Sequence, residues 1–474
     1  MTATIIQGNV FDVLPAIPPG SVDACVTSPP YWALRSYLGC ECGHTRTSHA
    51  PGCRECGCKR YKEHPLKPLE LGSEKTPAEY VASMVRVFAL VRECLADHGT
   101  CWVNIGDTYA SGSCGGSSVF ASGRTDGKPG DGGKAKLESA REGTKDRPGM
   151  EGIDSGNLCL IPQRLAIALQ DSGWIVRSVI VWRKPAPMPA SLAGWRWMRC
   201  RVKVKSDEAP SGYRADRPEC DPNGDGVHYD HRRPPNALWS DCPGCPKCEP
   251  NGGFVLRKGS WRPTSSWEPI LMLAKKQGYF ADGEPVKTAS GGNQNPRPFG
   301  KSENGDRQDG DHLYEGDTSG ANARDVQTWA AEPLKEKHYA AFPTALAEWC
   351  LRAATSARGY CPKCGKPWCR VVEVRGVNAN RNGKTADKIA EGLRTALGGA
   401  EHDTAETTTL DWRPSCSCPA AEPRPGRVLD PFAGSGRSGI AALRLGLDFT
   451  GVELNPEYAD MAKRLLREES PLFA

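Results

Sequence analysis

Ser28-Pro29-Pro30-Tyr31 is the segment of this 474-residue chain best suited to chemistry. It follows the apolar run VDACVT, which reads as a buried strand, so the four residues stand at a strand's carboxyl end. A serine hydroxyl and a proline carbonyl are two acceptors on a backbone that two prolines stiffen. Such a pair suits an exocyclic amine whose lone pair is delocalised into an aromatic ring. Accepting a hydrogen bond from each N–H draws the nitrogen toward tetrahedral geometry and frees that lone pair to attack. Tyr31 adds an aromatic face on which a base turned out of its stack can rest.

A second segment lies near the other end of the chain. In RVLDPFAGSGRSG an apolar strand runs into Asp430, a glycine-rich turn and a helix. Gly434 and Gly436 let the backbone approach a ligand at the helix N-terminus. The next strand, FTGVEL, ends in Glu453, 23 residues after Asp430. A carboxylate there can accept both hydroxyls of a ribose. The loop departs from the dinucleotide fingerprint GxGxxG, and taken alone a glycine turn between strand and helix is equally well explained by packing.

The elements that must position these segments alternate. TIIQGNV reads as a strand. Residues 76–98 carry the apolar period of a helix (Val81, Met84, Val85, Phe88, Val91, Leu95), and TCWVNIGD follows as a buried strand. LIPQRLAIALQDSGWIVRSVIVWRKPAP reads as helix, glycine turn and strand, SSWEPILMLAKK as a buried strand, and FPTALAEWCLRAAT as a helix. Alternation of this kind predicts an α/β doubly wound sheet, interrupted by insertions.

The 21 cysteines fall mostly in short-spaced groups. In a reducing compartment that spacing points to metal before disulfides. Cys361 and Cys364 in CPKCG, with Cys416 and Cys418 after a long loop, suit a tetrahedral zinc ribbon. Cys369 is spare. An earlier group offers Cys40, Cys42, Cys53 and Cys56, with Cys58, His44 and His49 as surplus donors. A middle group offers Cys242, Cys245 and Cys248, with Cys200, Cys220, His228 or His231 as the fourth ligand. Zinc in these places staples small inserts that lack a core of their own.

Taken together, SPPYW and DPFAGSG resemble the permuted, beta-class amino-methyltransferases of DNA, in which the catalytic segment comes first and the S-adenosylmethionine loop last. GNVFDVL, WVNIGD, GWIVRSVIVWRKP, RPTSSWEPILMLAK and HYAAFPTALAEWC extend the resemblance over about half of the chain, in matching order. It implies a circularly permuted Rossmann-like sheet carrying cysteine-rich zinc-binding insertions. Ser28, Pro29, Pro30 and Tyr31 would be catalytic. Asp430, Pro431, Phe432, Gly434, Ser435, Gly436, Glu453 and Asn455 would surround the cofactor, and Asp12, Phe342 and Pro343 would complete its pocket. The expected reaction is methyl transfer to a flipped base in double-stranded DNA. Ser28 favours cytosine N4, because adenine N6 enzymes more often carry Asp or Asn there. Adenine N6 is the first alternative; RNA or protein methylation and a non-catalytic zinc-finger DNA-binding protein are the others.

On this reading 1–37 is the catalytic half of the core and 421–474 the cofactor half, with core pieces at 65–110, 157–199, 261–282 and 338–357. The inserts are 38–64 and 200–260, both cysteine-rich; 111–156, a Gly/Ser-rich loop; and 358–420, the zinc ribbon. The polar stretch 283–337 lies where such enzymes recognise their target, and there Arg324 and Trp329 are candidate contacts.

Composition restricts the reading little further. Sixty-one basic against 56 acidic residues give a net charge of +5, which is compatible with nucleic acid without arguing for it. No run of eighteen apolar residues and no signal-peptide pattern appear, so a cytoplasmic protein without a membrane span is expected. A companion restriction endonuclease fits the family; oligomeric state is left open.

Overall fold

A computed structural model describes residues 1–33, 66, 69–110, 153–154, 156–187, 193–203, 239–288, 322–332, 342–375 and 406–470. In chain order these form β1 (Ala3–Gln7), α1 (Val10–Val13), β2 (Val22–Thr27), α2 (Pro77–Cys94), β3 (Leu95–Asn104), α3 (Ile161–Asp171), β4 (Ile175–Arg183), β5 (Arg196–Arg199), β6 (Arg201–Lys203), β7 (Trp239–Asp241), β8 (Phe254–Arg257), β9 (Trp267–Ala274), β10 (Val326–Thr328), α4 (Thr344–Ala354), β11 (Trp368–Arg375), β12 (Glu406–Pro414), β13 (Arg427–Asp430), α5 (Arg437–Arg444), β14 (Asp448–Glu453) and α6 (Pro456–Glu469). They belong to two compact units. The smaller contains described residues 193–203 and 239–265, and the rest belong to the larger.

The larger unit is built on a sheet of order β1-β14-β13-β2-β3-β9-β4-β10. Every neighbouring pair is parallel except the two that β9 makes with β3 and β4. The alternating pattern predicted a doubly wound sheet but carried no sign of the reversed strand, since side-chain period is the same in either direction. All six residues of β2 are buried, as expected of a strand covered on both faces. Ala24 and Val26 pack in one core with residues of α4, α5 and α6, and Cys25 packs in the other with residues of α2 and α3.

Local chemistry explains the helix boundaries. Thr76 and Glu79 close a capping box at the start of α2, with Pro77 in its first turn. The apolar period had extended this helix to 98. It ends at Cys94 because Leu95 turns to extended geometry and opens β3. Short α5 begins after Gly436, whose φ of +78° a side chain would resist. A Cβ on Gly436 would also stand 3.2 Å from the Ala462 Cβ on α6.

Because β1, β2, β13 and β14 are parallel, their carboxyl ends share one edge of the sheet. Gly8, Ser28, Pro431 and Leu454 therefore emerge side by side, although the first pair and the last are some 400 residues apart in sequence. No helix among the described residues is long and apolar enough to cross a membrane.

Candidate active site

That carboxyl edge opens into a cleft with an empty volume of about 990 Å³. Ser28, Pro29, Pro30 and Tyr31 line it from β2, and Pro431, Phe432, Gly434 and Ser435 from the loop after β13. Glu453 and Asn455 line it from the end of β14, and Phe342 from the approach to α4. The two segments singled out in the sequence thus face one space.

The proline segment is held from several sides. The Tyr80 hydroxyl on α2 donates to the Pro30 carbonyl at 2.8 Å, and Trp32 Nε1 donates to the Glu74 carbonyl at 2.9 Å. The Tyr31 hydroxyl donates within a polar group at the far end of its ring, 2.8 Å from Glu268 Oε2 and 3.1 Å from Asn104 Oδ1. Glu268 is itself paired with Lys184. Gly106 is glycine because of this ring: a Cβ there would lie 2.4 Å from Tyr31 Cε2. Ala33 ends the segment with φ of +53°, a conformation uncommon for any residue but glycine. Backbone and aromatic ring are thereby fixed, while among the described residues no hydrogen-bond partner occupies Ser28 Oγ.

The second wall centres on Glu453. Its Oε2 accepts from the Gly434 N–H at 2.9 Å and its Oε1 from the Asn455 N–H at 2.8 Å. Burial pushes its carboxyl up to about 7, against the pull of these amides. Asp430 has a different place. It is buried, lies outside the cleft lining, and accepts from Thr27 Oγ1 (2.6 Å), the Phe432 N–H (3.0 Å) and Ser438. Burial pushes it up to about 6. These bonds tie the end of β2 to the glycine loop and the start of α5, which sets the two walls relative to each other.

Of the other sequence-proposed pocket residues, Asp12 is exposed on α1, and neither Pro343 nor Gly436 lines the cleft. Asn9 lines it instead of Asp12 and also caps α1 through Phe11 N. Sequence reasoning also missed Glu70, Tyr458 and Arg437. Arg437 Nη1 reaches Glu332 Oε2 at 2.7 Å, and Glu332 in turn accepts from the Thr344 N–H that opens α4. The only signal for Arg437 was its place directly after the glycine loop.

Two polar atoms of the lining, Ser435 Oγ and Arg437 Nε, are buried without a hydrogen-bond partner among the described residues. Buried polar atoms left so are costly unless a ligand completes them. With the Glu453 carboxylate and the apolar Phe342 and Phe432, they make a donor and acceptor set that fits a ribose-bearing, partly apolar cofactor.

Comparison with known proteins agrees. A family model described as DNA methylase (N6_N4_Mtase) matches residues 22–361 and 420–464. The chain belongs to this DNA methylase family. It is an S-adenosylmethionine-dependent DNA amino-methyltransferase, of the type that acts on cytosine N4 or adenine N6. The methyltransferase is 25% identical over 468 residues to the Type II methyltransferase M.Cfr9I of Citrobacter freundii, covering 98% of this chain and 88% of the relative. It is 35% identical over 190 residues to M.XycI of Xanthomonas campestris pv. cyanopsidis, covering 40% of this chain and 49% of that protein. A solved structure of PvuII DNA methyltransferase (cytosine-N4-specific) aligns with a TM-score of 0.40 at 12% identity, over 98% of this chain and 86% of that one.

The cysteine groups take up defined positions as well. Cys361, Cys364, Cys416 and Cys418 bring their sulfurs within 4.8 Å of one another, and so do Cys200, Cys242, Cys245 and Cys248. Cys200 is therefore the middle group's nearby fourth thiol. Each group contains the same short motif, CPKC at 245–248 and at 361–364, while the sequence left Cys200 as one of several candidates for the fourth ligand. Cys40, Cys42, Cys53 and Cys56 lie outside the described residues, as do Cys220, His228 and His231.

Proposed function

We propose that the methyltransferase modifies cytosine N4 in a base flipped into the cleft. The observation that carries this reading is the convergence of Ser28 and Glu453, from opposite ends of the chain, on one cleft. Ser28 Oγ and the Pro29 carbonyl accept the two N–H bonds of the target amine, and Tyr31 stacks on the base. Serine at position 28, where adenine enzymes of the resembling family more often carry Asp or Asn, favours cytosine. Glu453 holds the cofactor's ribose, and Gly434 lets the backbone close on it. Ser435, Phe432, Asn455, Phe342 and Arg437 complete the pocket. S-adenosylmethionine supplies a methyl group on a sulfonium that is already a good leaving group, so the residues have to position the amine and exclude water. A proton then leaves the amine to solvent.

The strand order supports the permuted arrangement, because β13 and β14 from the chain's end lie between β1 and β2. The Type II names of the relatives support a companion restriction endonuclease recognising the same DNA site.

Purified protein incubated with mixed-sequence duplex DNA and methyl-labelled cofactor, followed by nucleoside mass analysis, should yield N4-methylcytosine. N6-methyladenine would overturn the base assignment. No modified nucleoside at all, with cofactor bound, would overturn the reading.

The two described cysteine groups each hold one structural zinc ion on this reading. Tetrahedral zinc with Zn–S bonds of about 2.3 Å sets its sulfurs about 3.8 Å apart. The Cys200–Cys245 and Cys245–Cys248 separations are 3.9 and 3.5 Å. Replacing Cys361 and Cys364 by serine should lower the bound zinc by about one ion per chain on metal analysis. An unchanged zinc content would remove the ribbon site.

A further inference from the structure

The smaller unit has a surface that the cleft does not explain. Its described residues, 193–203 and 239–265, include eight Lys and Arg against two acids, Asp241 and Glu249. Over the unit's whole 188–265 stretch the sequence carries thirteen Lys and Arg against nine acids, so the cations concentrate in these described residues. Even a four-thiolate zinc centre, with two net negative charges, leaves the unit basic.

The same unit exposes large aromatic rings. Trp195, Trp197 and Trp261 are 66%, 54% and 70% exposed. Strand β5 is exposed along all four residues, so both faces of the β5–β8 ribbon are open there. Arg196 stands directly opposite Arg257 in the ladder. Like charges at directly opposed positions destabilise a ribbon, and an anion bound by the pair would relieve the repulsion. Lys258 lies over the Trp195 ring at 4.8 Å and Arg199 over Phe254 at 5.5 Å, so cations and rings form one mixed surface.

We propose that this unit is a DNA-backbone-binding module in which Arg196 and Arg257 take phosphates and Trp197 and Trp261 pack against the sugars. The inference rests on the chain's being a DNA methyltransferase, and it names a surface outside the cleft where the duplex is held. Exposed tryptophans among cations suit a duplex backbone, because an indole ring can pack on a deoxyribose while the neighbouring cations meet phosphates.

The test compares the full-length parent with R196A/R257A and, separately, W261A, by equilibrium binding to duplex DNA over a series of salt concentrations. R196A/R257A should bind about tenfold more weakly near physiological salt, and its log K against log salt slope should be shallower by about two. W261A, altering an exposed side chain, should weaken binding about tenfold through lost apolar contact and leave the slope unchanged. Zinc content and cofactor affinity should match the parent in both. Unaltered DNA affinity in either variant, from a parent that methylates DNA, would overturn the module. A parent that methylates no DNA would instead overturn the functional reading beneath it.

Discussion

Ser28→Ala is expected to slow single-turnover methyl transfer by about 100-fold while changing cofactor affinity by less than about twofold. The magnitude follows from removing one preorganised hydrogen-bonding group that acts on the reacting atom, an effect of roughly 10²–10³ in other sites. The surroundings should tolerate the change. The backbone there is held by the Tyr80 bond to the Pro30 carbonyl, by the Trp32 indole and by the Tyr31 hydroxyl, none of which involves the Ser28 side chain. Because the hydroxyl is to act on the amine as it becomes tetrahedral, kcat and kcat/KM should fall together. Rates measured at saturating DNA and cofactor decide the matter. A rate within about threefold of the parent would show that Ser28 is not an acceptor for the amine.

The second large effect concerns pH and the cofactor. Burial holds the Glu453 carboxyl at about 7, above the ordinary 4.5. Ribose hydroxyls donate best to the ionised form, so a proton on Glu453 competes with the cofactor. Affinity should therefore be constant above about pH 7.5 and fall with decreasing pH, approaching about tenfold per unit below 7. Glu453→Gln should bind about 100-fold more weakly at pH 8, the scale of losing one hydrogen bond to a charged group, since the amide keeps a single acceptor oxygen. That variant should also lose the dependence on pH. Calorimetric titration of both proteins from pH 6 to 8.5 provides the measurement. A flat profile for the parent, or full affinity in Glu453→Gln, would take the ribose away from this carboxylate.

Strand and helix identity was largely legible in the chain itself. VDACVT reads as a doubly covered strand because no polar side chain interrupts its middle except Asp23, and that exception has a partner the sequence could not name. Asp23 is fully buried and accepts from both terminal nitrogens of Arg424, 401 positions away, with His98 Nε2 at 3.0 Å. A buried charge survives only when paired, and such pairing comes from the folded chain rather than from local pattern. The catalytic and cofactor segments were legible for a related reason. A proline pair or a glycine loop constrains backbone geometry locally, so its meaning travels with the sequence.

What the sequence by itself determined, then, was the inventory: alternating strands and helices, acceptors after β2, glycines after β13, a carboxylate at the end of β14, and thiols grouped by short spacing. Tertiary structure alone decided their company. It reversed β9, which brings Glu268 to the Tyr31 hydroxyl. It withdrew Asp430 from the cleft into bonds with Thr27 and Ser438, and brought in Arg437 with Glu332. It also carried Cys200 to Cys242, Cys245 and Cys248 across 41 intervening positions. Short-range patterns record only what neighbours along the chain require, whereas strand direction, charge partners and a fourth ligand depend on contacts between distant segments, made when the core closes.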